Sequence, residues 1–243
     1  MQGKVVAAIF AHPDDESFSI GGTIARYAKL GVRWHLFCAT DGDAGRTSAV
    51  PVASRAELGA LRRNELIAAA RLLGVRGQIV ARGYPDGALA QVEADRLVGD
   101  VVAFLRDVKP DLVITFGPEG APNAHRDHRA ISRAATAAFH LAASPTAYAD
   151  QQQSAHAAAR LYYVTWPPPG VGSPYTVYGV PATARIDIRR ELETKRRAFL
   201  LHATQRELMD RFELLALTDE ESYALAGGRP QPRETIDDLF DGL

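Results

Sequence analysis

The sequence predicts a single α/β domain: a Rossmann-like, mostly parallel sheet with helices on both faces. Three observations lead there. Short uninterrupted apolar runs such as VVAAIF (residues 5–10) and DLVITF (111–116) have the character of strands buried on both faces. Segments with apolar residues at helical spacing alternate with these runs four times through short connections, the pattern of βαβ units. The chain has 243 residues, of which 47% are hydrophobic and 23% charged, enough for one substantial core.

The elements follow in order. After the strand at 5–10 and an acidic stretch, Gly21 and Gly22 lead into TIARYAKLG. There Ile24, Ala25, Ala28 and Leu30 mark the apolar face of a helix and Gly31 its stop. VRWHLFCA (32–39) reads as the second strand. Ser54 starts a long helix whose apolar side is Leu58, Leu61, Leu66, Ala69, Leu72 and Leu73, closed by Gly74. Residues 78–81 form a weak third strand, and residues 93–108 a helix ended by Lys109-Pro110. DLVITF is the next strand, followed by a loop and an alanine-rich helix around 129–142. This is the core, residues 4–142. Residues 143–182 read as a surface excursion followed by a Pro/Gly-rich flap (166–181) that cannot be helical. A short strand at 185–188 and helices bring the chain to 218, and 219–243 is a charged tail only partly committed to structure.

Composition excludes several classes. The formal net charge is −1, so no global field favours nucleic acid or an anionic membrane. The one cysteine, Cys38, permits neither an intramolecular disulfide nor a cysteine-rich zinc site, and it sits in an apolar run as a small buried hydrophobe would. No window approaches the ~18 apolar residues needed to cross a bilayer. The N-terminus lacks the core and cleavage site of a signal peptide, so a cytoplasmic location is expected.

Ligands of such sheets bind beyond the carboxyl ends of the strands. The loops there are AHPDDE, TDGDAG, RGYPDG and TFGPEGAPNAHRDH, and they hold nearly every unusual polar cluster of the first half. In AHPDDE, the carboxylates of Asp14, Asp15 and Glu16 suit the start of the following helix. That reading does not require the preceding His12-Pro13. The second cluster, His125, Asp127 and His128, lies on the same rim, with its two histidines three residues apart and on one side of a helical turn. A His/Asp pair facing His-x-x-His supplies three N/O ligands and leaves one open position, which is what catalytic Zn²⁺ requires. Fe²⁺, Co²⁺ or Mn²⁺ would accept the same donors.

These residues also carry a resemblance. AHPDDE followed by HRDH after a later strand resembles the LmbE-like (PIG-L) family of zinc-dependent N-deacetylases. The likeness extends to TDGDAG, to Arg62-x-x-Glu65 leading into LIAAARLLGV, to YPDG at 84–87 and to PDLVITF. More loosely, KRRAFLLHATQ is similar to a late Lys…His-x-Ser-Gln segment of the family, with Thr204 in place of serine. The resemblance implies that His12, Asp15 and His128 hold the metal and that Asp14 is left free as general base. It places His125 opposite, as an imidazolium stabilising the tetrahedral oxyanion. Asp127 would fix the ring and tautomer of His125, alongside the plainer role of a helix N-terminal acid. Arg62 and Asp86 match positions that contact the sugar, although Arg62 also reads as a solvated helix residue or a partner of Glu65. His202 is expected to serve packing or a pocket wall. Two positions depart from the family pattern: Arg126 stands where proline is common, and Asn123 where some members carry an aromatic residue.

The expectation is therefore a metal-dependent hydrolase that removes the acetyl group from a small-molecule N-acetyl aminosugar, an N-acetylglucosamine conjugate foremost, with neither nucleic acid nor membrane as partner. A homo-oligomer stays open. The alternatives are a broader amidase on an aminosugar or thiol conjugate, and a non-catalytic sugar-binding protein of the same fold. A two-metal phosphoesterase is disfavoured by the lack of further ligand carboxylates.

Overall fold

Five parallel strands carry the molecule's centre. They are β1 (Val5–Phe10), β2 (Arg33–Thr40), β3 (Ile79–Tyr84), β4 (Leu112–Phe116) and β5 (Arg160–Thr165). β1 pairs with β2 on one side and with β4 on the other, in the registers Val5↔Arg33 and Val6↔Leu112. Every residue of β4 is buried, as are Val6 to Phe10 of β1, which explains why these strands read as continuous apolar runs. The computed structural model describes residues 1–46, 50–166 and 179–243. Most of the expected flap at 166–181 lies outside the described residues.

The helices that cover the sheet are α1 (Asp15–Lys29), α2 (Arg55–Leu73), α3 (Ala94–Val108), α4 (Arg126–Leu141), α5 (Leu192–Leu200) and α6 (Met209–Leu215). Ser54 caps α2 through its hydroxyl, which accepts from the N–H of Glu57, and Gly74 ends the helix in the left-handed conformation. Gly22 lets α1 approach Ile188 closely, since a Cβ there would sit 2.4 Å from the isoleucine side chain.

The sheet continues beyond β5. β7 (Glu220–Gly228) pairs antiparallel with β5, and β6 (Ala184–Asp187) antiparallel with β7, giving seven strands in the order β3-β2-β1-β4-β5-β7-β6. This corrects two expectations. Part of the presumed surface excursion at 143–182 is β5, with five of its six residues buried between β4 and β7. The presumed loose tail contains β7 and ends on Ile236, Leu239 and Phe240, which join the core. Both segments are held by pairing with distant strands, which local composition does not display. Two boundaries also shift. α1 starts at Asp15, ahead of the two glycines, and α4 starts at Arg126. Among the described residues no helix is long and apolar enough to cross a membrane.

Candidate active site

The strand order reverses between β1 and β4, and the loops leaving their carboxyl ends bring AHPDDE and HRDH face to face. Asp15 is central. Its Oδ2 accepts hydrogen bonds from the backbone N–H groups of Ala11 (3.1 Å) and His12 (2.8 Å), which fixes the carboxylate at the end of β1. The same oxygen lies 3.6 Å from His12 Nδ1, while Oδ1 lies 3.4 Å from His128 Nε2. Two imidazoles thus converge on one carboxylate at distances longer than ordinary hydrogen bonds, and all three side chains are buried. The charge partners His128 and His12 hold Asp15 well below the usual carboxylate range against the opposing effect of its burial. The His128 ring is stacked flat on Phe116, with centroids 3.9 Å apart and an interplanar angle of 11°.

The far side of His12 meets two more carboxylates. Its Nε2 is 3.2 Å from Asp127 Oδ2 and 3.1 Å from Asp86 Oδ1. With Nε2 turned to these acids, Nδ1 is the ring nitrogen on the Asp15 side. Asp127 is fully buried and pinned by the backbone N–H groups of Gly87 (2.8 Å) and Leu89 (3.0 Å). Its carboxylate therefore meets His12, where the sequence reading had it meet His125. What reaches His125 is the backbone N–H of Asp127, which donates to Nδ1 at 3.2 Å. That bond makes Nδ1 the acceptor and Nε2 the N–H of a neutral His125 ring. Burial, followed by the neighbouring His12 and His128, moves the pKa of His125 downward, so the ring is neutral where an imidazolium was expected. The donor atoms of His12, His125 and His128 lie within 4.8 Å of one another, as do those of His12, Asp86 and Asp127.

Asp14 stands beside this cluster, on the wall of the same cavity. Its backbone lies at φ 122°, ψ −25°, so its side chain leaves in a different direction from that of Asp15. Burial pushes its carboxyl up to about 6, with the Arg62 guanidinium opposing. Arg62 is only 3% exposed, so it is no solvated helix residue. Its guanidinium donates to Pro13 O (2.5 Å), Asp14 Oδ2 (3.2 Å) and Gly42 O (2.8 Å). The TDGDAG loop is glycine-rich for this reason: at Gly42, where φ is +66°, a Cβ would lie 2.3 Å from the guanidinium. Glu65 pairs elsewhere, accepting from the Thr204 hydroxyl at 2.6 Å and its N–H at 2.9 Å. The threonine thus provides the hydroxyl that a serine would.

A cavity of about 290 Å³ opens onto the cluster. His12, Asp14, Asp15, Arg62, Asp86, His125 and His128 all line it, so every expected site residue except the underlying Asp127 reaches one space. Asn123 lines it as well. The sequence reading did not foresee Phe18, Gln205 and Leu208 in the wall. Nor did it foresee the buried contact of His202 with Glu16 at 2.8 Å. The loose likeness around KRRAFLLHATQ was the available signal for the 202–205 segment.

Comparison with known proteins gives the chain a family. The family model described as GlcNAc-PI de-N-acetylase (PIG-L) matches residues 7–139, more than half of the chain. The protein belongs to the PIG-L family. Relatives span its whole length. A 1D-myo-inositol 2-acetamido-2-deoxy-alpha-D-glucopyranoside deacetylase of Rhodococcus jostii is 30% identical, covering 100% of this chain and 99% of the relative. The protein of that name in Mycobacteroides abscessus is 31% identical, again over 100% and 99%. Among solved structures, N,N'-diacetylchitobiose deacetylase from Pyrococcus horikoshii superposes with a TM-score of 0.76 at 24% identity, covering 92% of this chain and 84% of the other. The 4-carboxy-2-hydroxymuconate hydratase of Pseudomonas putida also superposes with a TM-score of 0.76, at 18% identity over 95% and 99% of the two chains. The PIG-L fold is thus similar to proteins named for different reactions, and the chemistry must be argued from the site.

Proposed function

We propose that this PIG-L protein is a metal-dependent hydrolase that removes the acetyl group from an N-acetylated aminosugar, with N-acetylglucosamine conjugates as the substrate class. The observation that carries the reading is the approach of the His12 and His128 imidazoles to the buried Asp15 carboxylate, with the separate carboxylate of Asp14 lining the same cavity. Full-length relatives named as deacetylases of a 2-acetamido-2-deoxyglucopyranoside support the substrate class.

A metal fits the donors present. Asp15 directs one oxygen at each imidazole, and two imidazoles with one carboxylate are a set that zinc accepts while keeping an open position. His12, Asp15 and His128 would hold the ion. When bound, it supplies Lewis acidity, polarising the amide carbonyl and lowering the pKa of water.

The remaining work falls to the chain. Asp14 takes a proton from the attacking water and returns it to the departing nitrogen, so that water and amide become acetate and free amine. A carboxyl at about 6 is suited to both halves of that transfer. His125 donates Nε2–H to the carbonyl oxygen as negative charge develops there. Asp127 and Asp86 hold His12 in its ligand tautomer. Asp86, in the cavity wall, is also the acceptor for a sugar hydroxyl. Arg62 is the weaker sugar contact, because its Nη1 and Nη2 already serve Pro13, Gly42 and Asp14 and its Nε is buried.

The test is acetate release by the zinc-loaded protein from N-acetylglucosamine, its inositol conjugate and N,N'-diacetylchitobiose. At least one should be hydrolysed, and Asp14→Asn should lower kcat by ~10²–10⁴-fold, the range of a lost general base. Release from none of them, or an unchanged rate in Asp14→Asn, would remove the proposal.

A further inference from the structure

Asp14 occupies a backbone conformation that L-residues avoid, and its side chain makes no capping bond to the helix it precedes. Such a residue stays in place only if its surroundings hold it there. On one side stands Arg62, whose Nη2 donates both to Pro13 O and to the Asp14 carboxylate. On the other stands Glu16. Its Oε2 accepts the backbone N–H of Asp14 at 3.1 Å, and its Oε1 accepts from the Ser17 hydroxyl at 2.6 Å and lies 2.8 Å from His202 Nε2. His202 comes from a segment 186 residues further along the chain, is fully buried and does not line the cavity.

A buried histidine paired with a buried glutamate is ordinarily a matter of packing. Here the second oxygen of the glutamate fixes the amide of the strained residue, so the pair acts on Asp14. We propose that His202, acting through Glu16, is a positioning residue that holds Asp14 in its left-handed conformation, with Arg62 holding it from the opposite side. The inference rests on the reading of Asp14 as the base. It assigns the histidine of the late His-x-Thr-Gln segment a task in the reaction from outside the cavity. Without the histidine, Glu16 Oε1 keeps only the Ser17 hydroxyl, its carboxylate is less firmly oriented toward the Asp14 amide, and the Asp14 carboxylate drifts from the attacking water. A displacement of about 1 Å in a reacting group can cost ~10²-fold.

The experiment compares His202→Leu, which cannot donate, with His202→Gln, whose amide nitrogen reaches roughly where Nε2 stood. Turnover, KM and zinc per chain are measured together with a crystal structure of each variant. His202→Leu should lose ~10–100-fold in kcat, with KM within about threefold and zinc content unchanged. Asp14 should leave its positive φ. His202→Gln should recover turnover to within a few-fold of the wild type. If His202→Leu does not fold, His202→Asn, one bond too short to reach Glu16, replaces it. Equal turnover in all variants, equal loss in Leu and Gln, or a loss that follows zinc content overturns the proposal. Should the wild type release no acetate, the functional reading fails by itself. The clamp is then judged on structure alone: it stands if Asp14 moves in His202→Leu and falls if the backbone at 14 is unchanged.

Discussion

The carboxylate of Asp127 is the residue-scale feature on which sequence and structure part. AHPDDE and HRDH point in the sequence to a candidate ligand triad, because His, Asp and their spacing carry metal chemistry in one dimension. Which acid supports which imidazole depends on the fold: Asp127 and His12 are 115 residues apart yet 3.2 Å from each other. The same holds for Arg62, legible as a charged residue on a helix but not as the buried clamp over Pro13 and Asp14. The geometry at Asp127 makes a prediction that separates the two assignments. If Asp127 orients His12, Asp127→Asn places an amide against Nε2–H and weakens metal binding by ~10–100-fold, while the metal-saturated enzyme keeps most of its turnover. If it served His125 instead, zinc affinity would be intact and saturated turnover would fall. Competition for zinc with a chromophoric chelator, followed by assay at saturating zinc, distinguishes them.

At the scale of elements, α1 is two helical pieces joined at a kink. Ile20 leaves helical geometry with φ −137°, and the freed N–H groups of Gly22 and Thr23 donate to the Glu221 carboxylate at 2.9 and 2.7 Å. The strand β7 thus caps a helix internally from 199 residues away. The sequence reading that began this helix after Gly21-Gly22 found its second piece, and took the first for a capped loop. The missed strands β5 and β7 share the same cause, since their stability lies in pairing with one another and with β4 and β6. Glu221 also binds Lys195 Nζ at 2.7 Å, with both side chains no more than 3% exposed. Glu221→Ala removes the cap and leaves a buried ammonium unpaired, so it should cost roughly 3–5 kcal/mol in urea unfolding. Replacing Glu221 and Lys195 together by methionine should recover part of that loss, because the isolated charge is gone. A single-variant loss under ~1 kcal/mol would mean that the pair is solvated.

For the whole molecule, the proposed metal ligands come from two sides of the sheet's switch point, His12 and Asp15 from the end of β1 and His128 from the start of α4. An ion held there ties together segments more than a hundred residues apart, so metal binding is linked to global stability. An ion at 100 times its Kd adds about 2.7 kcal/mol. In a chain of this size that raises Tm by roughly 5–10 °C. Chelator-treated protein should therefore unfold earlier in a calorimetric scan and recover on zinc addition. The variants divide by role. Asp15→Ala removes a ligand and should abolish the zinc-dependent rise, whereas Asp14→Asn removes the base, leaves the ligand set whole and should retain it. The opposite result, a rise kept by Asp15→Ala and lost by Asp14→Asn, would exchange the roles of two adjacent aspartates whose carboxylates the backbone at residue 14 sends in different directions.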